Sequence, residues 1–274
     1  MNRTQNTFRL GVERTIDLFL TLRNPEAVRV HLGQEAFLIR SWKEHRWWIH
    51  RVRRRSWEVN ELRLLSLALR PGDVFFDVGA WVGPYSLLAS RLVGDQGCVF
   101  AFEPSLETRN HLMLNLDANR ASNVRVVPLA ISDEVGDATL VHGSTTSRNL
   151  VTRASAEGLR VRTTTLAQAC SELGHRPDVI KLDVEGSEAS TLRGSEEALA
   201  DARSILLEFH TDQLRARGEK PTELFRALFA LGNRVFFIEG KASGVPATGT
   251  ELKPDRPPPG NFSLLLSPEW PEPS

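Results

Sequence analysis

Residues 74–85 read VFFDVGAWVGPY, and the fold of the chain turns on how they are understood. Val74 to Val78 is an apolar run broken only by Asp77, the pattern of a strand covered on both faces of a sheet. Gly79 then permits a tight turn and close backbone approach, Gly83 lets a helix pack on the strand before it, and Pro84 suits that helix's first turn. The same grammar repeats along the chain. Short apolar runs at CVFAF (98–102), VRVVPLAI (124–131), VIKLDV (179–184), ILLEF (205–209), RVFFI (234–238) and FSLLL (262–266) alternate with helix-length segments at 85–92, 106–119, 188–200 and 222–231. Seven such strands separated by helices predict a doubly wound α/β sheet.

Two stretches depart from the alternation. GDATLVH (136–142) and LRVRTTT (159–165) read as extra strands around a polar loop at 143–148 that is placed to cover a site, and KPDRPPPGN (253–261) reads as a rigid connector. Upstream, Leu62, Leu65 and Leu69 fall at helical spacing and Arg70-Pro71-Gly72-Asp73 ends that helix. Residues 40–57 carry seven basic side chains (Arg40, Lys43, Arg46, Arg51, Arg53, Arg54, Arg55) against Glu44, a formal charge of 7 − 1 = +6, with four of the six tryptophans. One reading is an anion-facing surface with aromatic platforms for a sugar, a lipid headgroup or a nucleic acid. The other is a helix that buries Trp47, Trp48 and Val52 and leaves its arginines solvated. The expected division is an N-terminal extension over 1–55 and one large domain over 56–274.

Composition excludes several classes. A chain of 274 residues is near the upper limit for a single core. Its 41% hydrophobic and 25% charged content excludes wholly disordered, collagen-like and disulfide-scaffold chains. Lys plus Arg (34) cancels Asp plus Glu (34), so no global field draws the protein to nucleic acid or anionic membrane. Cys98 and Cys170 are too few for a disulfide framework or a four-cysteine zinc site. The early run TIDLFLTL is short and contains Asp17, so neither a membrane span nor a signal peptide is expected, and the expected location is the cytoplasm.

Ligands of open α/β sheets bind beyond the carboxyl ends of the strands, where strand order reverses. The first such position is the loop from Asp77 through Gly79, Ala80 and Gly83 to Tyr85. The second strand ends in Glu103, twenty positions after Gly83 (103 − 83), where a carboxylate can accept both hydrogen bonds of a ribose diol. The loop lacks the G-x-G-x-x-G run that cradles a pyrophosphate, so an adenosine ligand without phosphates fits. S-adenosylmethionine is such a ligand, and its sulfonium charge suits Asp77, Glu103 and Asp183. In IKLDVEGSE (180–188), the two-residue period places Lys181, Asp183 and Glu185 on one side of the strand. A charge inside an apolar strand needs a partner, which points to a site; the structural alternative is Asp183 capping the next helix with Lys181 neutralising it. Glu208 and His210 follow on the next strand, His210 as a candidate base. Aspartates and glutamates at strand ends could bind magnesium, but no metal-ligand spacing is present, and no metal ligand is assigned.

Taken together, DVGAWVGPYS, FEPSLETRNHLMLNL, LAISDEVGDA, IKLDVEGSEASTLRG and ILLEFH resemble the successive motifs of the FkbM family of S-adenosylmethionine-dependent methyltransferases, from about Trp57 to Leu266. The resemblance implies a Rossmann-like, seven-stranded methyltransferase fold and methylation mostly of hydroxyl groups on sugars, glycolipids or polyketides, with some relatives acting on nitrogen. It implies that Asp77, Gly79 and Gly83, with Ala80 and Tyr85 beside them, hold the methionine end of the cofactor. Glu103 and Pro104 would lie at the ribose, Ser132 and Asp133 near the adenine, and Asp183 and Glu185 at the transferred methyl. Two positions depart from the family pattern: Trp81 stands where asparagine is common, and Ala167 replaces a usual aspartate.

The expected chemistry is in-line methyl transfer, with Asp183, Glu185 or His210 taking the acceptor's proton and Lys181 orienting Asp183. Alternatives are N-methylation of a peptide or small molecule, a noncatalytic protein docking residues 40–57 on a glycan or membrane surface, and nucleic-acid methylation with steep salt dependence. No specific nucleic-acid partner is expected, because no RNA-binding motif is present. The acceptor-facing loops carry no recognisable motif.

Overall fold

The computed structural model describes residues 27–40, 45–142, 149–152, 158–239, 248–255 and 257–271. It begins with a hairpin, β1 (Ala27–Leu32) and β2 (Glu35–Arg40), then α1 (Arg46–Arg53) and α2 (Val59–Ala68). The alternating unit follows as β3 (Val74–Val78), α3 (Pro84–Val93), β4 (Cys98–Phe102), α4 (Leu106–Ala118) and β5 (Val124–Val127). A small side sheet is built by β6 (Ala130–Ile131), β7 (Gly136–His142), β8 (Asn149–Thr152) and β9 (Leu159–Thr164). The second half runs α5 (Leu166–Leu173), β10 (Val179–Leu182), α6 (Glu188–Arg193), α7 (Glu196–Asp201), β11 (Ser204–Phe209), α8 (Thr211–Ala216), α9 (Pro221–Leu228), β12 (Arg234–Glu239), β13 (Thr248–Glu251) and β14 (Phe262–Ser267).

The main sheet has the order β13-β12-β14-β11-β10-β3-β4-β5, with β14 antiparallel to both its neighbours. The seven strands expected from the apolar runs are all in it, and β13 adds an eighth at the edge. Strands β11, β10, β3, β4 and β5 are parallel, and successive residues serve opposite faces. Phe75 and Val99 pack with the hairpin and α1 to α4, whereas Phe76 and Phe100 pack with the helices that follow β9. Chain order reverses between β3 and β10, which opens a crevice at their carboxyl ends.

Several boundaries differ from the periodic reading. The run 124–131 is cut at Pro128, which has no N–H to give the ladder, and its end becomes β6 of the side sheet. The expected helix over 188–200 breaks at Gly194, where a Cβ would lie 2.6 Å from the Ser132 carbonyl oxygen. Residues 222–231 form a helix from Pro221 that tightens into a 3-10 turn at Phe229–Leu231. Residues 143–148, expected as a polar loop, lie outside the described residues, as do the run 15–22, Trp42, Lys43, Glu44 and residues 153–157. Among the described residues, no helix is long and apolar enough to cross a membrane.

The basic, tryptophan-rich segment follows the helix reading with one correction. Helix α1 buries Trp48, Ile49 and Val52, while Trp47 is 42% exposed. Trp48 packs edge-on against Trp57 (5.5 Å) and Trp81 (5.1 Å), which ties the segment into the core next to the glycine loop. Two asparagines on α4 complete the attachment by standing in for a neighbouring strand. Asn119 accepts the Leu38 N–H (2.8 Å) and donates to the Leu38 carbonyl (2.7 Å). Asn115 accepts the Arg40 N–H (2.9 Å) and donates to the Val82 carbonyl (2.8 Å), linking β2 to the loop before α3. Because Trp48 is wholly buried in this junction, Trp48→Ala should lower unfolding stability by about 3–5 kcal/mol, read from denaturant melts.

Candidate active site

The crevice is shaped by three backbone constraints. The N–H groups of Gly79 and Ala80 both donate to the Phe102 carbonyl (3.0 Å each), which folds the first loop over the end of β4. Gly79 has φ +81°, and a Cβ there would meet the Asp183 carbonyl oxygen at 1.8 Å, so only glycine allows the loop to touch the end of β10. Trp81 (φ +51°) and Glu185 (φ +47°) are non-glycine residues in the left-handed region, a conformation that costs of order 1 kcal/mol or more and is found at sites where surrounding packing enforces it. For Trp81 that packing is His45 and Trp48 edge-on and Trp47 stacked at 28° with centroids 6.4 Å apart.

Lys181 occupies the centre. Its ammonium donates to Asp183 Oδ2 (3.2 Å) and to the Gly79 carbonyl (3.2 Å), lies 3.8 Å from Asp77 Oδ1, and sits 4.8 Å over the Tyr85 ring. Burial opposes its charge, but the carboxylates of Asp183 and Asp77 outweigh burial and raise its pKa above the usual lysine value, so it remains an ammonium. Asp77 is itself wholly buried and accepts from Ser86 Oγ (2.6 Å). Burial lifts it above the usual aspartate range although Lys181 and Ser86 pull it down.

A second cluster adjoins the first. His210 Nδ1 donates to buried Glu188 Oε1 (2.6 Å), and Nε2 faces Glu185 Oε2 (3.3 Å), Glu208 Oε1 (3.6 Å) and Asp183 Oδ1 (4.0 Å). Burial disfavours the charged ring, yet the Glu188 hydrogen bond and the nearby carboxylates of Asp183, Glu188 and Glu208 raise His210 to about 10. It is therefore an imidazolium at neutral pH, donating to Glu188 and paired by charge with the carboxylates that face Nε2. Gln213 Nε2 also donates to Glu185 Oε2 (3.3 Å).

Of the residues singled out from the sequence, Gly79, Ala80, Tyr85, Glu103, Pro104, Lys181, Asp183 and Glu185 line one cavity. Five others stand behind its wall. Asp77 lies beneath Lys181, Gly83 packs toward Leu112, His210 sits behind Glu185, and Ser132 bonds Asp133, which faces Arg193 (3.7 Å). The wall near Ser132 is apolar and comes from Leu129, Ala130 and Ile131. Glu103 accepts the N–H of Trp81 on Oε2 (3.1 Å) and of Ser105 on Oε1 (2.9 Å), leaving each oxygen a further lone pair for a ligand hydroxyl. Sequence reasoning missed Glu58, and it did not bring Trp47 or Trp57 into this cavity. Their only signal was the density of tryptophan just ahead of the first apolar strand. Asp183, Glu185 and His210 also each bring one potential metal-ligand atom within 4.8 Å of the others, a convergence that a gap of 25 residues (210 − 185) hides from spacing rules. Lys181 and the charged His210 compete with any cation for those carboxylates.

Residues 77–235 match the Methyltransferase FkbM domain family. The chain belongs to that family. Over 193 residues it is 31% identical to hexuronic acid methyltransferase AglP of Haloferax volcanii, covering 69% of this chain and 76% of the relative. Over 179 residues it is 30% identical to 31-O-demethyl-FK506 methyltransferase FkbM of Streptomyces tacrolimicus, covering 53% and 68%. An S-adenosylmethionine-dependent O-methyltransferase of Thermotoga maritima superposes with a TM-score of 0.45 at 15% identity, covering 88% of this chain and 77% of that one.

The two positions expected to depart from the family pattern have physical addresses. Position 81 adopts the left-handed conformation in which asparagine is enriched over other non-glycine residues, and Trp81 holds it by packing instead. Ala167 is exposed in the first turn of α5, away from the cavity lining, where an aspartate would favour the helix dipole.

Glu103 yields a pH test. Burial, only partly offset by the Ser105 and Trp81 N–H groups, lifts its pKa from 4.5 to about 7. The folded chain then keeps a proton that the unfolded chain releases. The associated stability is fully present below about pH 4.5 and is lost as pH rises to about 7. Relative to the parent, Glu103→Gln should gain about 3 kcal/mol of unfolding stability between pH 4.5 and 7.5, read from denaturant melts at the two pH values.

Proposed function

We propose that this FkbM-family enzyme transfers the methyl group of S-adenosylmethionine to a hydroxyl of a sugar or other oxygen-rich small molecule. The observation that carries the reading is the placement of Glu103, the Gly79 turn and the Asp183–Lys181 pair around one cavity at the point where strand order reverses. The donor set fits this cofactor. Glu103 has spare lone pairs for a ribose diol, and Leu129, Ala130 and Ile131 offer an apolar wall of the kind an adenine ring packs on. Glu58, Glu103, Asp183, Glu185 and Glu208 make the cavity predominantly acidic, which suits a sulfonium. The relatives support the acceptor class: one is named for a hexuronic acid, the other for the 31-O position of FK506.

When bound, the cofactor supplies a methyl group on a positively charged sulfur, open to in-line displacement by an acceptor oxygen. The chain's part is to align that oxygen and to remove its proton as attack proceeds. Asp183 and Glu185 reach the cavity as acceptor-only carboxylates, and either can take the proton. Lys181 fixes Asp183 against the Gly79 carbonyl, while His210 and Gln213 fix Glu185. His210 serves in this reading as a charged clamp that stabilises a carboxylate, with the base function falling to the two acids.

The test separates chemistry from cofactor binding. Asp183→Asn and Glu185→Gln are assayed with labelled S-adenosylmethionine and a panel of methyl glycosides, and cofactor affinity is titrated calorimetrically. At least one variant should lose about 10²- to 10⁴-fold in kcat while binding the cofactor within a few-fold of the parent. Normal turnover by both would refute this assignment of the base.

A further inference from the structure

Part of the cavity wall comes from residues that precede the family-matched stretch 77–235. Trp47, Trp57 and Glu58 line it together with Trp81, Tyr85 and Glu208. Trp47 is 42% exposed and stacks at 28° on Trp81, which is braced from behind by His45 and Trp48. A partly exposed indole, backed by Trp81, thus lines the cavity. Trp57 continues the aromatic wall, edge-on to Tyr85 at 5.9 Å. Exposed, rigidly backed aromatic rings of this kind commonly supply apolar contact area beside a few placed polar groups in ligand pockets.

The polar groups on this side are acids. Glu58 starts α2 in the left-handed conformation (φ +42°), which aims its carboxyl inward to accept the Tyr85 hydroxyl hydrogen on Oε2 (2.6 Å). Glu208 stands across from it in the same lining. The lining includes five carboxyl groups, on Glu58, Glu103, Asp183, Glu185 and Glu208, and Lys181 as its basic side chain, already engaged with Asp183 and Asp77. Crowding has the expected consequence: burial, then Glu208 and Asp183, push Glu58 well above the usual carboxyl range. Carboxyl groups are good partners for hydroxyls. An anionic acceptor here would face more carboxyl groups than the Lys181 and His210 charges offset, and would find no basic side chain of the described lining unpaired.

We infer that Trp47, Trp57 and Glu58 form the acceptor subsite, and that it takes an uncharged pyranoside, with a C–H face of the sugar on the Trp47 indole and hydroxyls on Glu58 and Glu208. This rests on the methyl-transfer reading above and narrows it. It separates this enzyme from a relative named for a hexuronic acid, because a carboxylate on the acceptor is selected against.

Two measurements test it. Calorimetric titration with S-adenosylmethionine comes first. Transfer of labelled methyl is then followed on methyl glucopyranoside, mannopyranoside and galactopyranoside, and on the matching methyl glucuronide and galacturonide, for the parent, Trp47→Ala and Trp47→Phe. The parent should favour at least one neutral glycoside over every uronide by tenfold or more in kcat/KM. Trp47→Ala should raise the KM for that glycoside tenfold or more, with kcat within threefold and cofactor affinity within threefold, and Trp47→Phe should recover most of the loss. Trp47 is partly exposed, and His45 and Trp48 still brace Trp81 when it is removed. Absence of cofactor heat overturns the methyl-transfer reading and this inference with it. Cofactor heat combined with equal use of uronides, with no transfer to any neutral glycoside, or with an unchanged KM in Trp47→Ala overturns the inference alone.

Discussion

The Lys181 ammonium is the interaction on which the site depends. A buried cation is tolerated only when paired and hydrogen-bonded, and here the pairing spans the seam where strand order reverses. Asp77 belongs to β3, the Gly79 carbonyl to the loop after it, and Asp183 to the end of β10, so one side chain holds three separate pieces of backbone in register. The seam can close that tightly only because position 79 has no Cβ to strike the Asp183 carbonyl. The charge and the glycine are two halves of a single constraint. Removing the charge while leaving the acids in place would strand two carboxylates in a low-dielectric crevice, the more damaging way to break a buried pair.

Around that seam the enzyme separates two kinds of acid. Glu103 is satisfied by backbone N–H groups and stands apart from the crowd. Asp183, Glu185, Glu188 and Glu208 gather about His210, whose positive charge is the product of that gathering. The N-terminal segment then lines the cavity through Trp47, fastened by Trp48 in the core and by Asn115 and Asn119 along β2. Strain at Trp81 is sustained by the same aromatic packing that presents Trp47 to the cavity.

Much of this was readable in advance. The seven apolar runs became seven neighbouring strands, because strands covered on both faces must be continuously apolar and such runs have few other uses. Gly79, Glu103, Lys181 and Asp183 were found at strand tips because the doubly wound sheet puts its ligands there. The misreadings are equally physical. Pro128 and Gly194 broke elements that periodicity carried through, one for want of an N–H and the other because residues 132–133 pass too close. Trp47 departs from the reading that buries it with Trp48, because a single helical step of 100° separates the buried face from the exposed one.

Local order in the chain was enough to specify the strands, the helices and the residues at their ends, since two-fold and 3.6-fold periods and the need to pair a charge in an apolar strand are properties of short segments. The meeting of Glu58 with Tyr85, of His210 with Glu188 and Glu185, and of Trp47 with Trp81 joins residues 22 to 34 positions apart in sequence (210 − 188 and 81 − 47 at the extremes) and belongs to the folded molecule alone. Those contacts depend on how helices and loops cross above the sheet, and their strength depends on the burial that only such crossing creates.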